Sequence, residues 1–486
     1  MRLFNSLAKK TEPFGSVDGK VIMYVCGITP YDSAHIGHAR TYVSMDVLKR
    51  LLMKKGTPVY HIQNITDVED KIIKRCKDTG ADPKKLTETN HAEALELLGK
   101  LAVLPADIYP KVTEHIPDII RLIQLLVEKG AAYQTKSGVY FSVSSFKDYG
   151  ALSGQDIEQI KSGARVEIEE TKRDPADFAL WKRTDGEIIE FDSPFGRGRP
   201  GWHIECSAMA RRYAGRTLDI HGGGRDLIFP HHENEIAQSE AASGERFCRF
   251  WLHPGFLTVN GEKMSKSLGN FVTLSQALAR FSPNSLRLFY LMAHYRSPLD
   301  YEEDKIEGLD ESVERIFNSL GLIREECAAK RESHEDAGFR KESDDLISMF
   351  WNCMDDDLNT PEAIAALFNL IRLTNAHISQ EKIDKKQLLK VKEAIEAILW
   401  VLGLEEERAD LDSKKDAILV LAAELGVATS GDAAVTLDLL IDAREKARSS
   451  KDYKRSDLIR SKLNGIGIVL EDKNKDKESG PRWKIE

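Results

Sequence analysis

The chain predicts an α/β fold: a parallel-sheet domain broken by an insertion, then an α-helical bundle and a small C-terminal domain. Short apolar runs at 21–25 and 58–63 are each followed by a polar turn and a segment with apolar residues at helical spacing, the strand–turn–helix order of a parallel sheet. Beyond Phe281, residues 306–324, 344–354, 361–376 and 385–402 repeat apolar positions with a 3.6-residue period, as bundle helices do. With 486 residues, 42% of them apolar, the chain has material for several domains.

The densest stretch is 21–40, VIMYVCGITPYDSAHIGHAR. A strand over Val21–Val25 leads into a turn built from Gly27, Thr29, Pro30 and Asp32. Val43, Val47, Leu48, Leu51 and Leu52 then recur at helical spacing, so a helix starts between His35 and Arg40. A strand, a tight turn and a helix N-terminus expose backbone N–H groups to an anion. His35 and His38, one turn apart, add donors there, and Gly37 lets a flat ring approach the backbone. The arrangement suits a triphosphate and its purine.

These residues carry a resemblance. His35-Ile36-Gly37-His38 resembles the HIGH signature of class I aminoacyl-tRNA synthetases, and Lys263-Met264-Ser265-Lys266-Ser267 resembles their KMSKS signature. Cys26 ahead of the first motif, the WHIEC run Trp202 to Cys206 and the PHHENE run Pro230 to Glu235 narrow it to the cysteinyl-tRNA synthetases. The likeness runs from about Tyr24 to the C-terminal helices. It implies a class I Rossmann-type catalytic domain that activates L-cysteine with ATP, brought in with Mg²⁺, and passes the cysteinyl group to the terminal ribose of cysteine tRNA. His35, His38, Lys263 and Lys266 are then the catalytic residues. Gly37, His221 and Asp226 join His35, His38 and Lys266 at the ATP. Gly27, Thr29, Thr66 and Trp202 face the amino acid, with Trp202 as a lid.

The expected domains follow in order. Residues 1–104 form the first half of the catalytic domain. Thr66 and Asp67 sit there at the carboxyl end of the second strand, where ligands bind in open parallel sheets; capping the next helix is the plainer role for Asp67. Residues 105–200 are the connective insertion, with a helix at 116–127 and a hairpin around 136–138. Residues 201–255 form the second half, including a strand at 217–221 that ends in Gly222-Gly223-Gly224. Residues 250–259 read as one further strand. Residues 256–305 hold the KMSKS loop and stem-contact region, 306–404 the bundle, and 405–486 an anticodon-binding domain reached through the charged linker 405–415.

His231 and Glu235 are four apart on one helix face, so both reach one ion. His232 lacks a partner at that spacing, since position 236 is Ile. Cys26 and Cys206 each fall at a strand end or helix start, in different halves of the domain. Taken singly, each cysteine reads as a small buried hydrophobe, and Cys76, Cys248, Cys327 and Cys353 are left so. The resemblance implies that Cys26, Cys206, His231 and Glu235 hold one Zn²⁺ per chain.

Six cysteines in so long a chain are no disulfide framework, and a reducing cytosol is expected. No apolar run reaches the length of a membrane span; a cytoplasmic monomer is the expectation. The formal charge of −9 argues only against non-specific coating of nucleic acid, because residues 444–462 carry eight Lys/Arg against three Asp/Glu. Arg448, Tyr453, Asp457, Asp472 and Trp483 are the expected tRNA contacts of that end: aromatic faces stack bases, cations hold phosphates and carboxylates accept from base amino groups. The charged insertion 474–479 interrupts the turn ahead of Trp483. Two rivals stand at this stage: a mycothiol-pathway cysteine ligase with the same core, and a non-catalytic synthetase-derived RNA-binding protein.

Overall fold

A computed structural model describes residues 1–156, 172–264, 268–406, 414–471 and 482–485, the backbone alone at 471 and 482–485. Lys266, Asp472, the insertion 474–479 and most of the linker 405–415 lie outside the described residues. The chain divides into two units, 1–405 and 406–486.

At the centre of the first unit four parallel strands stand in the spatial order Cys248–Leu252, Leu218–Gly222, Val21–Val25 and Val59–Gln63. Every residue of Val21–Val25 is buried. That is why its sequence is a continuous apolar run and does not alternate. Chain order reverses between Val21–Val25 and Leu218–Gly222, the switch point at which open sheets leave a crevice outside their carboxyl ends. Asp219 locks this seam: it accepts from the Ile22 N–H at 2.9 Å, and Arg216 and Arg249 neutralise it at 2.9 and 2.8 Å.

Residues 250–259 are two strands where one was expected. Cys248–Leu252 belongs to the parallel sheet, whereas Leu257–Val259 pairs with Glu262–Lys263 and Leu299–Tyr301 in a separate sheet. Pro254 has no N–H for the ladder, and a Cβ on Gly255 would overlap the Ser297 carbonyl oxygen. The capping role expected of Asp67 also falls elsewhere. The helix Asp70–Thr79 is capped by Glu69, whose carboxylate accepts from the Lys71 N–H at 2.6 Å. Asp67 lies too early for that and holds Thr113 instead, through its N–H at 3.0 Å and hydroxyl at 2.6 Å.

The insertion packs a helix, Ile116–Glu128, beside an antiparallel sheet of Ala132–Gln134, Gly138–Phe141, Phe178–Arg183 and Gly198–Pro200. The hairpin expected around 136–138 is present. Lys182 at 3.0 Å and Arg199 tie the insertion to Asp70. The bundle helices are Leu309–Ala328, Ala337–Asp355, Thr360–Ile378 and Lys385–Leu402. The second starts earlier than its apolar pattern suggests, because Asp336 caps it by accepting from the Phe339 N–H. In the second unit the helices Lys415–Glu424, Ala433–Ser449 and Tyr453–Gly465 enclose Ile418, Leu437, Leu440, Ile459 and Leu463, and Ile468–Glu471 pairs with Arg482–Ile485. Among the described residues no helix is long and apolar enough to cross a membrane.

The helix Ile36–Lys54 is braced at mid-length by a buried charge cluster. Asp46 accepts from Arg50 Nε at 2.8 Å, from Arg287 and from the Leu104 N–H at 2.8 Å. Arg287 also donates to the carbonyls of Leu402 at 2.5 Å and Leu101 at 2.6 Å, and Arg50 to that of Trp400 at 2.9 Å. This helix and the last bundle helix are thereby held as one body. Asp46→Asn strands two guanidinium groups without a counter-ion and should cost about 3–5 kcal/mol in urea unfolding. Lys55→Ala, which removes the exposed pair with Asp355, should cost under about 1 kcal/mol.

Candidate active site

A cavity of about 460 Å³ opens at the carboxyl ends of the parallel strands. Its lining includes Cys26, Gly27, Thr29, Thr66, Trp202, Cys206 and His231 on one part, and His35, Gly37, His38, Asp226, Lys263 and Met264 on another. Residues from four distant stretches of chain thus share one wall-to-wall space.

The start of the helix Ile36–Lys54 is built differently from the expectation of open backbone donors. His35 is the N-cap, and its Nδ1 accepts from the N–H groups of Gly37 at 3.1 Å and His38 at 3.3 Å. His38 Nδ1 accepts in return from the His35 N–H at 3.3 Å, and the Ile36 N–H goes to the Val272 carbonyl. The two rings stack with centroids 3.5 Å apart. This is a capping box made of two imidazoles. With each Nδ1 accepting, the proton of each neutral ring is on Nε2, so the imidazoles replace the backbone as donors toward the cavity. Burial, His35 and Lys71 hold the His38 pKa well below the usual range; it acts as a neutral donor.

At the floor lies a buried donor cluster. Ligand atoms of Cys26, His231, His232 and Glu235 all lie within 4.8 Å of one another. Glu235 Oε1 is 3.0 Å from His231 Nε2, and its Oε2 is 2.8 Å from His221 Nε2. Cys206, only 1% exposed, lines the same cavity as Cys26 and His231 and interacts electrostatically with both. Of the two thiols, the hydrogen bond from Cys26 brings the Cys206 pKa down to about 6, while burial and Cys206 push Cys26 up. Burial opposes the charge on His231, yet Glu235 and Cys206 outweigh it and raise its pKa to about 10. Glu235, against its own burial, is brought to about 2 by His221 and His231. The cluster therefore holds opposite charges at close range, and its thiol, imidazole and carboxylate donors could hold a metal ion. Outer contacts aim the donors: His203 Nδ1 meets His231 Nδ1 at 3.0 Å, and Trp202 lies flat on His231 with centroids 4.3 Å apart.

Helical spacing set His232 aside, and the structure brings it in. The chain enters the helix Glu233–Ser243 across a kink at Phe229, and His232 meets Glu235 at the i,i+3 spacing, 3.9 Å away, which shares a helix face just as i,i+4 does. His232 Nε2 lies 3.3 Å from Cys26 Sγ and its Nδ1 2.8 Å from His253 Nε2.

Comparison with known proteins decides the family. Residues 14–311 match the family model for the class I (C) tRNA synthetase catalytic domain, and residues 349–406 match the DALR domain. A cysteine–tRNA ligase of Thermococcus onnurineus is 45% identical over 490 residues, covering 100% of this chain and 99% of that protein. The Pyrococcus abyssi ligase is 46% identical over 98% of both chains, and that of Heliobacterium modesticaldum 44% identical over 100% and 99%. The chain belongs to the cysteine–tRNA ligases. A methionyl-tRNA synthetase of Mycobacterium tuberculosis, solved with methionyl-adenylate, shares the fold with a TM-score of 0.59 at 16% identity, over 87% of this chain and 94% of that one.

Within this ligase family the placement of the expected residues is mixed. Gly27, Thr29, Thr66, Trp202, His35, Gly37, His38, Asp226 and Lys263 all line the cavity. His221 does not: it is fully buried, bonded to Glu235 and stacked on Trp251 at 4.6 Å. Its side chain sits behind Glu235, from the strand Leu218–Gly222. Tyr31, Asn64, Lys71, Arg225 and Phe271 also line the cavity and were missed. Each belongs to a loop or helix start, where periodicity carries no signal. Arg448, Tyr453 and Asp457 lie in the second unit at the helices Ala433–Ser449 and Tyr453–Gly465, and Trp483 on the strand Arg482–Ile485. The DALR match ends at residue 406, where that unit begins.

Gly27 tests how tightly the floor is closed. Its N–H donates to Asn64 Oδ1 at 2.9 Å, and a Cβ there would overlap the Asn64 carbonyl oxygen. Gly27→Ala should lower stability by about 3 kcal/mol, the upper end for overpacking. Gly99→Ala, inside a helix with open space around it, should raise it by up to about 1 kcal/mol. Thermal melts of the two variants check both signs; a Gly27→Ala protein as stable as the parent would show that the strand ends part freely.

Proposed function

We propose that this chain activates L-cysteine with ATP, brought in with Mg²⁺, to cysteinyl-adenylate and transfers the cysteinyl group to the 3′-terminal ribose of cysteine tRNA. The observation that carries this reading is the buried thiol, imidazole and carboxylate cluster at the floor of the cavity whose walls hold both signature motifs.

The donors fit Zn²⁺: the Cys26 thiol, the imidazoles of His231 and His232 and the Glu235 carboxylate lie together, buried, with the Cys206 thiol in the same cavity and His203 and His221 behind them. Cys26, Cys206, His231 and Glu235 would hold it, with His232 alongside. A zinc ion there supplies coordination of a substrate thiolate, which the harder and far less acidic hydroxyl of serine does not match. That discrimination exceeds the roughly 1–3 kcal/mol that pocket shape yields per methylene-sized difference. Trp202, 36% exposed and lying against His231, closes over the amino acid. Gly27, Thr29 and Thr66 place its carboxylate near the α-phosphate of ATP, with Gly37 and Asp226 beside the nucleotide.

The chemistry that remains for the side chains is positioning and charge stabilisation. His35 and His38 donate from Nε2 to the phosphates. Lys263 and Lys266 carry positive charge to the departing pyrophosphate as their loop closes. The second unit, through its basic helices, reads the anticodon, and the enzyme works as a cytoplasmic monomer.

Purified protein should contain one zinc per chain by elemental analysis. Cys206→Ser should lose metal and cysteine-dependent ATP–pyrophosphate exchange together; full zinc in that variant removes Cys206 from the ligands. A protein ending at Glu406, the border between the two units, should keep pyrophosphate exchange while losing at least about tenfold in charging of cysteine tRNA. Unchanged charging would sink the anticodon role of the second unit.

A further inference from the structure

Lys71 is a cation of the cavity wall that neither signature motif supplies. It is the second residue of the helix Asp70–Thr79, directly after the strand-end loop of Asn64 and Thr66. The two carboxylates that precede it are engaged elsewhere. Glu69 accepts from the backbone N–H of Lys71 itself. Asp70 faces the insertion, paired with Lys182 at 3.0 Å and with Arg199. Among the described residues Lys71 has no ion-pair partner; its Nζ lies 5.5 Å from the ring centroid of Tyr31, another cavity residue. That aromatic face holds the ammonium in place without neutralising it. The charge reaches His38, whose protonation it disfavours along with burial and His35.

We propose that Lys71 is a phosphate-binding residue of this cavity. A lysine is a compact point charge with three donors, suited to a phosphate oxygen that changes position during a reaction. Where surrounding acids are already satisfied, an ammonium in a recessed site attracts an incoming anion strongly. The phosphate belongs either to the triphosphate of ATP or to the last phosphodiester of the RNA, since Asp70 anchors the same helix start to the insertion. This inference rests on the aminoacylation reading above.

Full-length Lys71→Met and Lys71→Arg proteins decide the matter. If the triphosphate is the ligand, Lys71→Met lowers kcat/KM for ATP in cysteine-dependent pyrophosphate exchange by about tenfold or more, with the KM for cysteine unmoved. If the RNA is the ligand, exchange is unchanged and single-turnover transfer from preformed enzyme-bound cysteinyl-adenylate to cysteine tRNA slows by a similar factor. In either case Lys71→Arg recovers most of the loss, and Lys182→Ala, which alters the charge at the same helix start from outside the cavity, leaves both steps intact. Equal rates for Lys71→Met and the parent in both assays overturn the proposal. So does an equal loss in Lys182→Ala, which would assign the effect to the helix end as a whole. Absence of cysteine-dependent exchange in the parent protein would instead strike the reading of the reaction itself.

Discussion

Everything at the site depends on the parallel pairing of Val21–Val25 with Leu218–Gly222. The two strands are separated by the whole insertion, and the bond from the Ile22 N–H to Asp219 spans 197 residues of sequence. Their register puts the Cys26 N–H on the Gly222 carbonyl at 2.9 Å. Cys26 is thereby delivered to the helix that carries Cys206 and to the PHHENE segment. Chain closure over such a distance is entropically costly, so the seam is secured by a buried carboxylate with two arginines as well as by the ladder.

The insertion is fastened to the same region from its own side. Glu233, buried beside the donor cluster, accepts from the backbone N–H groups of Gly150 at 2.9 Å and Ser153 at 2.7 Å. The helix Glu233–Ser243 and the insertion therefore share a boundary residue, next to the histidines. Buried carboxylates recur as fasteners across the first unit: Asp219 at the sheet seam, Asp46 between the signature helix and the bundle, and Asp357 between the N-terminal strand and the segment after the KMSKS hairpin. Asp357 accepts from the Phe4 N–H at 2.7 Å, from Tyr295 at 2.9 Å and from Arg296 at 2.7 Å. Each is satisfied by several donors, the condition under which a buried charge organises a fold and does not strain it.

Arg40 extends this pattern toward the second signature. Lying in the helix that begins with His35, it donates to the Phe256 carbonyl at 3.0 Å and to that of Ser297. It thus joins the helix of the first signature to the strand that leads to the second. Burial lowers its pKa to about 10, and the guanidinium stays charged at neutral pH. Asp300 completes the link by accepting from Thr258 at 2.6 Å and from the Gly261 N–H at 2.8 Å, which fixes the turn at Asn260 and Gly261 beneath Lys263.

The amino-acid sequence by itself determined the fold class and the motifs that meet at the cavity. Strand and helix periods arise from local geometry, and a run such as Val21–Val25 or the 3.6-residue pattern of 385–402 reports burial directly. The helix Lys385–Leu402 was legible to the residue, and so were the signature motifs, because their meaning lies in identity and order. Tertiary structure decided what depends on direction and distance. It placed His232 in the donor cluster beside Cys26, a contact between segments two hundred residues apart, and it buried His221 behind Glu235. It also closed the two signature imidazoles over the helix start that an anion was expected to meet. Lys71 shows the limit most clearly. In the sequence it is one of 69 lysines and arginines; the local capping by Glu69 and the pairing of Asp70 with Lys182 and Arg199 leave its charge facing the cavity, and the Asp70 pairing is packing between segments more than a hundred residues apart.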